Sequence, residues 1–127
     1  MGDASEGPDE RLVELAHQMF DLARAGQRDL LSAYVAGGVP VDLTDAAGNT
    51  LVMLAAYHGH PDTVTMLVDA GADVNRVNDR GQTPLAGAVF KDEPDVVRAL
   101  LAGGADPDAG TPTARATAEL FGKPDLF

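Results

Sequence analysis

The 127-residue chain contains no cysteine. Disulfides and thiolate metal sites therefore play no part in how it folds or works. Basic residues are scarce, 9 against 20 acidic ones, for a net charge of −11. Sequence-independent nucleic-acid binding rests on Lys and Arg neutralising phosphates, so that class is set aside. The charge favours solubility and, weakly, a basic partner. No stretch approaches the roughly 18 apolar residues that a membrane span requires. The first ten residues hold Asp3, Glu6, Asp9 and Glu10 without an apolar run, unlike a signal peptide, and a cytoplasmic location is the expectation. Seven arginines to two lysines, with abundant alanine, hint at a GC-rich bacterial source.

A repeat occupies the middle of the chain. Gly48 recurs as Gly81, Thr50 as Thr83, Ala55 as Ala88, Pro61-Asp62 as Pro94-Asp95, Val64 as Val97, Leu67 as Leu100 and Gly71-Ala72-Asp73 as Gly104-Ala105-Asp106, always 33 positions on. Residues 48–75 and 81–108 share 10 identities in 28 aligned pairs. A fixed period of this length marks a stacked array of supersecondary units, each too small to bury its own apolar face.

Gly48 to His60 followed by Leu67 to Asn75, and Asp79 to Leu85 followed by Leu100 to Asp106, resemble ankyrin repeats. The resemblance implies an all-α solenoid of stacked helix-turn-helix units with β-turn fingers. It also implies a protein-binding role. Two clear repeats fall short of the roughly three that stability requires, so the flanks must contribute. Residues 1–9 read as a disordered acidic lead, and 10–127 as one domain. Within it, 10–44 form a divergent N-capping repeat, 45–78 and 79–110 the two repeats, and 111–127 a shortened C-terminal cap.

Local chemistry supports that division. Leu12, Leu15, Ala16, Met19, Phe20 and Ala23 follow helical spacing and make one apolar face. Thr50 and Thr83 are placed to cap first helices. Val52, Leu54, Ala55 and Ala56 are expected to pack inward. Pro61 suits the first turn of a second helix, Asp62 complements its dipole, and Gly59 can take the left-handed conformation that ends the helix before it. In the next repeat Asp92 must occupy that left-handed position, at some cost. Met53 and Ala86 stand where the family's Thr-Pro-Leu-His signature has histidine. Ala114, Ala116, Ala118, Leu120 and Phe121 suggest a closing helix that ends at Gly122.

Groups for chemistry are few. Ser5 and Ser32 have no histidine near them in sequence. His60 sits where the family braces its inter-helix turn, and His58-Gly59-His60 lacks the carboxylate or cysteine a good metal site would add. The recurring aspartates, Asp29, Asp62 and Asp95 at helix starts and Asp73 and Asp106 after Gly-Ala, suit capping and turns. The glycines fall at helix ends with the repeat period and form no phosphate loop. No cofactor, metal or catalytic residue is assigned.

What remains is the surface that differs between repeats. Partners of this family usually meet the finger tips and the ends of the first helices, which line a concave groove. By register those positions are Arg24 with Ala25; Ala46, Ala47, Asn49, Tyr57 and His58; Arg76; and Asp79, Arg80, Gln82, Phe90 and Lys91. Tyr57 and Phe90, 33 apart, are expected to stand in a row. Arg24, Arg28, Arg76, Arg80 and Lys91 are expected at or beside the groove, making it less acidic than the chain as a whole. The sequence thus reads as a non-catalytic adaptor or regulator, monomeric when unbound, whose protein partner it does not identify. The rival reading is a small inhibitor or immunity-type protein that masks a basic effector with its acidic exterior.

Overall fold

The computed structural model describes residues 8–127, so the first seven residues of the acidic lead lie outside the described residues. Pro8, a residue suited to a first helical turn because its missing N–H would have no partner there, opens α1 (Pro8–Ala25). There follow α2 (Arg28–Ala36), α3 (Leu51–Tyr57), α4 (Pro61–Asp69), α5 (Pro84–Phe90), α6 (Pro94–Ala102) and α7 (Ala114–Leu120), then a 3₁₀ turn at Pro124–Leu126. None of these helices is long and apolar enough to cross a membrane.

The helices pair as hairpins, α1 with α2, α3 with α4 and α5 with α6, and the hairpins stack in two layers. One layer runs α1–α3–α5–α7 and the other α2–α4–α6. This is the expected all-α solenoid. The flanks contribute as the repeat count demands, α1 packing on α3 and α7 on α5.

The two layers differ in burial because they differ in position. In α3 the run Leu51 to Ala56 is wholly buried, as is Pro84 to Val89 in α5. Each of these short helices lies between two neighbours in its layer and a second helix behind. Ala55, Ala56, Ala86, Gly87 and Ala88 keep those approaches close, since interhelical distance follows the side chains at the contact. The second helices bury only one stripe, Thr63, Val64 and Leu67 in α4 and Val96, Val97 and Leu100 in α6.

The anticipated punctuation is present. Thr50, Thr83 and Thr113 accept hydrogen bonds from the backbone N–H of Met53, Ala86 and Ala116 at 3.2, 3.1 and 3.0 Å. Gly26, Gly59, Asp92 and Gly122 turn out of the first helices with φ of 70°, 80°, 56° and 74°. Those four positions are spaced by 33, 33 and 30 residues, so the cap is the same unit reached by a connection three residues shorter.

Three stretches differ from expectation. Pro8 and Asp9, assigned to the disordered lead, already belong to α1. In α1 the apolar face is buried at Met19, Phe20 and Ala23, but Leu12 is 61% exposed. The first turns of this long helix run beyond the neighbour that would cover them. In α7 the buried residues are Ala114, Thr117 and Ala118. Leu120 and Phe121 are 81% and 47% exposed, so the cap carries apolar side chains in the open.

Candidate functional site

The groove is built from the C-terminal ends of the first helices and the fingers between repeats. Each finger is a turn tied by its own side chain. Asp45 Oδ1 accepts from the N–H groups of Ala47 and Asn49, both at 2.9 Å. Asn78, its counterpart 33 residues on, accepts from Arg80 and Gln82, both at 3.0 Å. Short Asx side chains close such turns on backbone two to four residues ahead. Adjacent fingers are joined by Asp79 N–H to the Ala47 carbonyl at 3.0 Å and by Asn78 Nδ2 to Asn49 Oδ1 at 2.9 Å. The groove floor is therefore fixed before any partner arrives.

Three hollows run along this face and share walls. The first is lined by Phe20, Asp21, Arg24, Asp45, Ala46 and Ala47, together with His17. The second shares Arg24 and Asp45 with it and adds Asn49, Met53, Leu54, Tyr57, His58, Arg80 and Gln82. The third, about 360 Å³, shares Tyr57, Arg80 and Gln82 with the second and adds Ala86 and Phe90. Its far wall is Pro112, Thr117, Leu120 and Phe121 of the cap. A larger hollow, about 610 Å³, lies elsewhere, between α2 and α4. It holds Arg28, which pairs with Asp29 at 3.1 Å, so Arg28 does not belong to the groove as expected.

Of the positions chosen by register, Arg24, Ala46, Ala47, Asn49, Tyr57, His58, Arg80, Gln82 and Phe90 line this one surface. Lys91 joins it through Tyr57, with its Nζ 5.1 Å from the ring centre. Ala25, the next residue after Arg24, is exposed but lines none of the three hollows. Arg76 and Asp79 are also exposed and outside them. Asp79 leans on the preceding finger instead, where a Cβ added to Gly48 would come within 2.5 Å of its carboxylate.

Tyr57 and Phe90 do different things despite their equivalence. Tyr57 is half-buried, and with Met53 it lies over Gly87 of the next helix, where a Cβ would meet Met53 Cε at 3.1 Å and the Tyr57 ring at 3.4 Å. A mid-helix glycine costs roughly 1 kcal/mol in helix propensity; here the bare backbone leaves room for those two side chains. Phe90 is 53% exposed and meets Phe121 edge-on, with ring centres 5.7 Å apart. Among the lining residues that sequence reasoning missed, Pro112, Thr117, Leu120 and Phe121 form the far wall, beyond the reach of register at 33. The signal for them is the run Thr50, Thr83, Thr113, which sets the cap 30 residues on and puts Leu120 after Tyr57 and Phe90 in the same row.

The charges of the groove are arranged. Arg24 bridges Asp21 at 3.0 Å and Asp45 at 3.8 Å. His58 is held below the ordinary imidazole range, first by partial burial and then by Arg24, His60 and Lys91 around it. His60 does more than brace its own turn: its Nε2 lies 2.7 Å from the Arg24 carbonyl, across the interface between repeats. Asp29 and Asp95, expected to cap helix starts, lie in the first turns of α2 and α6, where no side chain caps, and pair instead with Arg28 and Arg98. Other aspartates are engaged with backbone. Asp42 accepts from Asp73 N–H at 2.9 Å, and Asp73 and Asp106 close turns on Asn75 and Asp108 at 3.0 and 2.9 Å. No group of three or more potential metal ligands occurs among the described residues.

Comparison with known proteins gives the same architecture. A family model for ankyrin repeats, in three copies, matches residues 19–111. The ankyrin repeat protein PA3287 of Pseudomonas aeruginosa is 48% identical over 50 residues, which are 39% of this chain and 29% of that protein. The chain thus spans less than a third of the length of that relative.

Proposed function

This chain belongs to the ankyrin repeat family, whose repeats are in general protein–protein interaction modules, and from that premise we propose that it is a non-catalytic adaptor or regulator that binds a protein partner through its concave groove and finger tips. The observation that carries this reading is the continuity of the three hollows, which share Arg24 and Asp45 at one junction and Tyr57, Arg80 and Gln82 at the other. Aromatics and arginines are the side chains that most often anchor interfaces, and here Arg80 stands on a tied finger while Arg24, Tyr57 and Phe90 stand on the first helices. Ordering costs on binding are then small. So short a stack offers a footprint near or below ~800 Å² per partner.

The non-catalytic part of the proposal draws on where the reactive groups are. His60 is directed at a backbone carbonyl, and Asp45, Asp73 and Asp106 hold turns. A chain free of cysteine needs no oxidising compartment to fold, and we place it in the cytoplasm as a monomer when unbound.

Affinity capture from the native host with wild-type and variant protein tests the groove. Arg80→Glu with Phe90→Ser, both at exposed positions, should lose the captured partner while lowering the melting temperature only by the small loss of the Phe90–Phe121 contact. Thr65→Lys with Asp69→Lys on the opposite layer should retain it. The reverse pattern overturns the groove reading and favours the acidic-exterior inhibitor.

A further inference from the structure

We propose that the C-terminal hollow of the groove receives an acidic segment of the protein partner, one large apolar side chain seating against Phe90 and Leu120 while neighbouring carboxylates meet Arg80 and Lys91. This rests on the groove reading and adds the chemistry of what binds there.

The first support is the sorting of the bases. Arg24, Arg28, Arg98, Arg115 and Lys123 each lie on a carboxylate. Arg11, in α1, has an interaction of its own. Arg76, Arg80 and Lys91 make no ion pair with any described residue. Arg80 lines this hollow and Lys91 lies over its Tyr57 wall, in a chain whose net charge is −11. With 20 acidic residues available, bases left unmatched on one face are positioned to meet charge from outside.

The second support is apolar exposure in the same place. Phe90, Leu120 and Phe121 are 53%, 81% and 47% exposed and wall a single hollow. Side chains of this size in the open are removed from water by a bound apolar group. Arg80 lines that hollow, and Lys91 follows Phe90 and sits over Tyr57. His58 adds to the picture, since after burial the groups that hold its protonation down include Arg24 and Lys91.

Net charge alone would favour a basic partner, and the local arrangement outweighs it. Charges farther away than about 10 Å are largely screened at ordinary ionic strength, so most of the distant acids contribute little at the hollow. Unpaired cations at contact distance set the preference instead.

The test uses the isotopically labelled full chain and three pools of short synthetic peptides. One pool has Phe or Leu flanked by Asp and Glu, the second the same anchors flanked by Lys and Arg, and the third Ala or Ser flanked by Asp and Glu. The first pool should shift the amides of Gln82, Phe90, Thr117 and Leu120, and the third should bind about tenfold more weakly. Arg80→Glu with Lys91→Glu should weaken the first pool about tenfold and strengthen the second. Thermal melts should be unmoved because both sites are exposed. If the second pool binds wild-type protein at those amides as well as the first, the inference fails while the groove reading stands. Shifts confined to α2, α4 and α6 with every pool overturn both. No shift from the first pool at millimolar peptide overturns the inference.

Discussion

The repeats built on α3–α4 and α5–α6 share a backbone and cap their first helices alike, yet they solve the corner between their helices differently. In the earlier one the corner is Gly59-His60, and the His60 ring reaches the Arg24 carbonyl of the preceding unit at 2.7 Å. In the later one it is Asp92-Glu93, with Asp92 at φ 56°. Its partner is Lys123 of the following unit, and Glu93 lies close over Gly59. One corner is thus pinned backward by a ring and the other held forward by an exposed charge pair. The lesson is that stacking specifies the backbone tightly, while the side chains that stitch one unit to the next are interchangeable in kind.

The most severe way to break this comparison is to crowd the two glycines beneath those corners. A Cβ on Gly26 would come within 2.4 Å of the pinned His60 ring, and one on Gly59 within 2.9 Å of the Glu93 carboxylate, the free end of a flexible chain. Both sites have positive φ, so alanine is strained at either. Gly26→Ala should cost about 2–3 kcal/mol and Gly59→Ala about 1–2, measured by urea unfolding. Equal losses would show that the ring yields as readily as the carboxylate.

The caps should be indifferent to which repeat they serve. Thr50→Ala and Thr83→Ala should each lower stability by about 1 kcal/mol, because the two hydrogen bonds have nearly the same length. A large inequality in denaturant midpoints would mean that Pro84 supports α5 independently of its cap.

Making the corners alike is the gentler test. Asp92→Gly relieves roughly 1–2 kcal/mol of left-handed strain. It gives up an exposed pair with Lys123, which contributes at most ~1 kcal/mol. The variant should be more stable by about 0.5–1 kcal/mol, visible as a higher melting temperature. A lower one would show that the Lys123 contact stitches the cap more strongly than its exposure suggests.

The smallest effect is on pH dependence. The folded protein holds His58 below its ordinary protonation range. Its contribution to stability is therefore complete above that range and declines as pH falls from the ordinary imidazole value toward the folded one. His58→Gln should flatten the slope of stability against pH in that window. The Asp108–Arg115 pair follows the same sign at lower pH, since its hydrogen bond holds the Asp108 carboxyl below the usual range. An unchanged His58→Gln slope would mean that its partial burial, and then the neighbouring Arg24, His60 and Lys91, do not separate its folded from its unfolded protonation.

Much of the fold was legible because repeat punctuation is local chemistry. Thr50 and Thr83 announce helix starts, and Gly59 and Asp92 announce the left-handed corners, each through its own backbone preference. Nine of the groove's lining residues followed by register, from Arg24 through Phe90, while His17, Phe20 and Asp21 of α1 and Met53, Leu54 and Ala86 did not. Nor did Arg28 or the far wall. Arg28 was placed by proximity in sequence, whereas the hairpin turns it toward α4 and Asp29. Leu120 and Phe121 were read only as part of the closing helix, with no role in the groove. The cap has no further hairpin over it among the described residues, so helical spacing buries Ala114, Thr117 and Ala118 and leaves those two out.

The sequence by itself determined the class, the period, the caps and the corner positions, since each rests on what a few neighbouring residues allow their own backbone to do. Tertiary structure alone decided which side chains meet across units: His60 with the Arg24 carbonyl, Tyr57 over Gly87, Phe90 against Phe121. Those contacts join residues some thirty apart in the chain, and their geometry depends on how far each hairpin shifts and turns against the last. That displacement is set by the packing of all the helices together, and no short stretch encodes it.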